Sequence, residues 1–130
     1  MAYIKYKELT KYFNFKKEID IESLPKYVTD YKLNDEIIIR AYKTRKDKGI
    51  FTDKRIILFD LKWFGTTKTI HTIPYRSIST IAVLYKGSKS SLLFSMDSGY
   101  QIRLNFVNMS AEDKMHLRKL YAETINKAML

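Results

Sequence analysis

From residue 36 onward, apolar positions gather into short runs divided by turn-forming residues. The runs are 36–43 (EIIIRAYK), 49–52 (GIFT), 55–61 (RIILFDL), 67–74 (TKTIHTIP), 77–86 (SISTIAVLYK), 90–97 (SSLLFSMD) and 100–107 (YQIRLNFV). Runs of this length, rich in Ile, Phe, Tyr and Thr, predict seven β-strands. Alternation is clearest in the last. Tyr100, Ile102, Leu104 and Phe106 fall on one face, and Gln101, Arg103 and Asn105 on the other. Gly87-Ser88 and Asp97-Ser98-Gly99 supply hairpin turns. Between the second and third runs stands Thr52-Asp53-Lys54-Arg55. This is a tight turn between antiparallel strands, in which Asp53 bonds its own following backbone while Thr52 and Arg55 flank it.

After residue 108 the period changes. Leu117, Leu120, Tyr121, Ile125 and Ala128 recur at helical spacing. Ser110 with Asp113 three residues on forms a capping-box start, so one amphipathic helix over about 110–128 closes the chain. At the other end the signal is weaker. Ala2, Tyr6, Leu9 and Phe13 share one face of a helical wheel, but Lys5 and Lys16 intrude on it. A short helix within residues 1–22 is predicted, packed on its own domain or on a neighbouring subunit. Ser23 and Pro25 suit the start of a further helical turn. The organisation read from these patterns is a helical N-terminal extension over 1–34 and a β-rich domain over 35–130.

Seven strands followed by one helix is the element order of a pleckstrin-homology (PH) fold, and specific residues strengthen the likeness. IFTDKRIILFD (50–60) followed by IPYRSI (73–78) resembles the bacterial PH-domain family, which carries a near-identical Thr-Asp-Lys-Arg hairpin and an Ile-Pro-Tyr segment at similar spacing. The resemblance is strong over residues 36–80 and looser outside them. It implies a seven-stranded, strongly bent antiparallel barrel capped by the C-terminal helix. It also implies a homo-oligomer, because relatives form closed cyclic rings, often pentameric. The IPY segment has its own physical reading. Pro74 lacks an N–H and holds Ile73 extended, so it ends the fourth strand, and Tyr75 places its ring in the corner that follows.

Composition narrows the function. Lys and Arg number 24 against 14 Asp and Glu, a formal net charge of +10. That surplus favours an anionic partner: an acidic membrane surface, an acidic protein or, less favoured, nucleic acid. Solubility alone is the competing account. There are no cysteines, which excludes disulfides, Cys-ligated metal and thiol catalysis. The first residues lack the apolar core of a signal peptide and no run approaches a membrane span, so a cytoplasmic protein is expected.

Candidate chemistry is sparse. His71 and His116 are the two histidines, and Glu112 lies one turn before His116, too few ligands for a metal site. No serine elbow or phosphate-cradling glycine loop is present, and the four glycines are dispersed. No enzyme activity, cofactor, metal or small-molecule substrate is expected. The leading candidate is the loop YKTRKDKG. Its Lys43, Arg45, Lys46 and Lys48 match the basic loop with which eukaryotic PH domains hold phosphoinositides. Converging ammoniums and a guanidinium suit a phosphate headgroup, and a solvated hairpin tip explains the same residues. Trp63 and Phe64 are adjacent, and both cannot point inward on an extended segment. With Tyr6 and Phe13 they are candidates for a subunit interface. The interleaved basic and aromatic residues of 3–17 offer stacking surfaces for nucleic acid. The leading reading is a non-enzymatic oligomeric scaffold, ahead of attachment to acidic membrane and then of nucleic-acid binding.

Overall fold

Why the central strands read as unbroken apolar runs becomes clear once their faces are assigned. In the computed structural model, which describes residues 10–44, 47–61, 68–87, 89–107 and 109–129, five strands form one sheet. They are β2 (Lys17–Glu18), β3 (Ile38–Lys43), β4 (Lys48–Thr52), β5 (Arg55–Leu61) and β6 (Lys68–Pro74), in that order across the sheet. All neighbours are antiparallel. Every residue from Ile56 to Asp60 is buried, so β5 has no solvent face to mark with polar residues.

One face of this sheet carries Ala41, Ile50, Ile57 and Phe59, on which Leu24 and Val28 pack. Val28 belongs to α1 (Lys26–Thr29), a single turn entered through Pro25 after a 3-10 turn at Ile21–Ser23. Tyr27 and Tyr31 set their rings 6.1 and 5.7 Å from that of Phe59. The opposite face carries Tyr42 and Phe51, with ring centres 6.2 Å apart, and the Phe15 ring lies 6.2 Å from that of Tyr42. Gly49, opposite both Tyr42 and Leu58 in the ladder, leaves the space the Phe15 ring occupies. A Cβ at Gly49 would stand 2.6 Å from the Phe15 Cζ.

The second sheet has the order β1 (Thr10–Phe15), β9 (Gln101–Phe106), β8 (Lys89–Met96), β7 (Ile78–Lys86). Its apolar face presents Leu92, Phe94, Ile102, Leu104 and Phe106, all buried. Gly87 and Gly99 take positive φ values of 60° and 91° in the two hairpin turns. Helix α2 (Ala111–Ala128) opens with both bonds of a capping box between Ser110 and Asp113. It buries Leu117, Leu120 and Thr124, and packs on β7 and on the 3-10 turn at Tyr75–Ser77. Residues 15–74 form one unit, and residues 1–14 with 75–130 form the other.

All seven strands expected from residue 36 onward are present, as are the closing helix and its cap. Two expectations are corrected. The strands form two sheets and not one seven-stranded barrel: Pro74 ends β6, the 3-10 turn intervenes, and β6 and β7 do not pair. The helix expected within residues 1–22 is replaced, over the described part, by strands β1 and β2. Phe13 and Phe15 stand two apart, at strand spacing, and both are buried.

Candidate interaction surfaces

The Thr52–Arg55 hairpin is a polar lock inside the larger sheet. Glu36 lies at the entry to β3 and is 2% exposed. Its carboxylate accepts from Arg55 Nε at 3.0 Å and Nη2 at 3.1 Å, from Thr52 Oγ1 at 2.6 Å, and from the Leu33 N–H at 3.0 Å. Burial pushes this carboxyl up. The Arg55 guanidinium, the Leu33 N–H and the Thr52 hydroxyl outweigh burial and lower it from 4.5 to about 2. Arg55 also donates to the Tyr31 carbonyl at 2.6 Å, which ties the end of the α1 segment to the sheet.

The turn is closed by a residue other than the one expected. Thr52 Oγ1 accepts the Lys54 and Arg55 N–H groups at 3.0 Å each. Asp53 instead exchanges bonds with Ile37, accepting its N–H at Oδ1 and donating to its carbonyl, both at 2.9 Å. Lys54 reaches Asp35 across 3.4 Å on the surface, a pair of little energetic weight. Tyr75 is buried in the 3-10 turn directly after Pro74.

The basic loop is partly described. Lys43 and Lys48 face each other across β3 and β4, and Lys17 of β2 pairs with Lys43. Three lysines therefore stand in a row across three strands. Lys48 is engaged: its Nζ donates to the Tyr27 hydroxyl at 2.7 Å and lies 5.2 Å from that ring's centre. Asp47 shapes the turn, accepting the Leu61 N–H at 3.0 Å and donating its own N–H to Thr44 Oγ1. Arg45, Lys46, Trp63, Phe64 and Tyr6 lie outside the described residues. Phe13 is 1% exposed within its own chain, so it is core and not an interface anchor. Phe13 and Phe15 are likewise withdrawn from any base-stacking surface.

Two surface features carried no sequence signal of their own. β7 ends the smaller sheet with nine residues, and no described strand pairs along its outer side. Leu84 and Tyr85 near its end are 46% and 47% exposed. On the polar face of the same sheet, Lys86, Lys89, Arg103 and Asn105 line a hollow of about 270 Å³. Arg103 and Asn105 were assigned to a polar face by alternation. Their convergence with Lys86 and Lys89 depends on cross-strand register, which alternation does not fix.

His116 lies 3.8 Å from Glu112 one helical turn away, and His71 sits opposite Leu58 in the larger sheet. Among the described residues no three His, Asp or Glu side chains gather where a metal could bind, and no helix is long and apolar enough to cross a membrane.

Comparison with known proteins agrees with the architecture. The chain is 39% identical over 64 residues to the uncharacterized Bacillus subtilis protein YozO, and 35% identical over 83 residues to the uncharacterized protein YjqA of the same organism. Those matches span 49% and 63% of this chain, and 52% and 62% of the two relatives. Among solved structures, a DUF1696 family protein with a pleckstrin-homology domain from Shewanella loihica superposes with a TM-score of 0.69 at 21% identity, covering 89% of this chain and 99% of that one. A PH-domain-containing protein from Exiguobacterium sibiricum gives 0.67 at 19% identity, covering 86% and 62%. The model of the bacterial PH domain matches residues 8–125, and with two sheets, the capped closing helix and both sequence motifs in place, the chain belongs to the bacterial PH-domain family.

Proposed function

We propose that this domain is a non-enzymatic interaction module that assembles with copies of itself into a closed ring. The observation that carries the reading is the outer edge of β7. A nine-residue edge strand offers a row of backbone donors and acceptors to another chain. Leu84 and Tyr85 add exposed apolar surface at its end, where Lys86 also lies open to solvent. Edge pairing repeated head to tail closes into a ring when the rotation between subunits allows it. Light scattering on a size-exclusion column tests this. The wild-type chain runs at several times the monomer mass. Leu84→Lys with Tyr85→Lys shifts the population to monomer without loss of secondary structure. A wild-type monomer at tens of micromolar defeats the proposal.

A second reading has its own support. The cross-strand row of Lys17, Lys43 and Lys48 supports it, and Arg45 and Lys46 fall between the last two in the sequence. Such a row suits an acidic bilayer surface. Attachment of this kind weakens as salt rises and on replacing Lys17 and Lys43 with Glu.

A further inference from the structure

We infer that the hollow on the polar face of β7, β8 and β9 is a binding site for a phosphate monoester. The ladder places its residues on one face. Lys86 is opposite Lys89, Leu84 is opposite Ser91, and Ser91 is opposite Asn105. Like charges directly opposite each other weaken a sheet unless something neutralises them. Here nothing does. Among the described residues neither lysine has an acidic partner, and no residue lining the hollow is acidic. Lys114, which donates to the Gly87 carbonyl at 2.9 Å, adds a further cation at the turn joining the two strands.

The floor of the hollow is ordered before any ligand arrives. Asn105 Oδ1 accepts from the buried Ser91 hydroxyl at 2.7 Å and from Arg103 Nε at 2.8 Å. Its amide group donates to Asn14 Oδ1 at 3.0 Å. Arg103 is thereby held along one edge, and its two terminal amines have no protein acceptor among the described residues. A guanidinium fixed in this way presents a planar fork, the geometry that matches phosphate oxygens. Lys86 and Lys89 line the same hollow at its hairpin end. Three cations around one recess match a dianionic phosphate monoester better than a single carboxylate. Leu84 and Val107 line the walls and limit the water around the bound charge.

The monoester can belong to a soluble metabolite or to a lipid headgroup, and the experiment separates these sources. Backbone amide NMR shifts are followed while inorganic phosphate or glycerol 3-phosphate is added at constant ionic strength. Saturable shifts at Ser91, Arg103 and Asn105 are expected, with none from sodium chloride alone. Lys89→Gln with Arg103→Gln, which keeps a dispersed spectrum, weakens binding about tenfold or more. Lys26→Gln, an exposed lysine of α1, leaves it unchanged. In a second arm, vesicles of phosphatidic acid in phosphatidylcholine are sedimented. Pelleting lost in the Lys89/Arg103 variant assigns the phosphate to a headgroup, and saturable phosphate binding without pelleting assigns it to a soluble molecule. Shifts that never saturate, or that survive in the Lys89/Arg103 variant, together with no variant-sensitive pelleting, overturn the proposal.

Discussion

Thr52 has a single hydroxyl proton, and the acceptor that takes it organises the hairpin. At 2.6 Å from Glu36, against 3.0 Å from the Arg55 carbonyl, the charged acceptor takes the proton. The two lone pairs then receive the N–H groups of Lys54 and Arg55. The resulting lock depends on an ionised Glu36, which gives it a definite pH dependence. A carboxyl lowered from 4.5 to about 2 on folding adds stability that is fully present above pH 4.5 and lost as pH falls from there toward 2. The size of the effect is on the order of 3 kcal/mol. Urea titrations across that range therefore show a falling midpoint in the wild type and a much flatter profile in Glu36→Gln, which is less stable at neutral pH. An identical acid slope in both proteins contradicts this account. The sequence shows Thr52, Asp53 and Arg55 as a turn. Glu36, 19 residues from Arg55, becomes their partner only through the pairing of β3 with β4.

At the scale of elements, the strands from β3 to β9 were legible because each unites β-favouring residues with a turn signal at its end. Helix α2 was legible because cap and stripe agree. The N-terminal strands were not. Phe13-Asn14-Phe15 alternates as a strand does, yet Ala2, Tyr6, Leu9 and Phe13 also fit a helical wheel, and β1 and β2 gain their hydrogen bonds from partners distant in sequence. The basic row shows the same limit. Lys43 and Lys48 stand close together in the chain, but the alignment of Lys17 with them, and the hold of Tyr27 on Lys48, follow from register and packing. A single atom tests the packing of the larger sheet. Gly49→Ala forces a methyl to within 2.6 Å of Phe15 Cζ, 3.1 Å of its Cε2 and 3.3 Å of a Leu58 methyl. Neither a buried ring nor a neighbouring strand yields freely, so the variant loses about 1–3 kcal/mol in chemical denaturation. The second substitution Phe15→Leu restores part of it. If Gly49→Ala alone is neutral, the ring does not occupy that space.

For the whole molecule, the net charge of +10 is the dominant electrostatic fact. Exposed cations across the surface repel one another in the folded state, while the buried Arg55–Glu36 pair is shielded from mobile ions. Raising sodium chloride from low to moderate concentration therefore raises the thermal midpoint, since screening relieves repulsion more than it weakens the internal pair. A midpoint that falls with salt means that exposed ion pairs outweigh the repulsion. Lys86 and Lys89 are a local instance of the same imbalance, and their relief by a bound phosphate is the local counterpart of screening.

The route of the chain also imposes an order in time. Residues 15–74 are continuous, and all five strands of the larger sheet lie within them. β1 belongs to the other sheet, where its neighbour among the described strands is β9, more than eighty residues later. As the polypeptide leaves the ribosome, the larger sheet can assemble while β9 and α2 are still unmade. β1 is thus made long before the strand it pairs with, and a nascent chain halted before residue 101 holds it without β9.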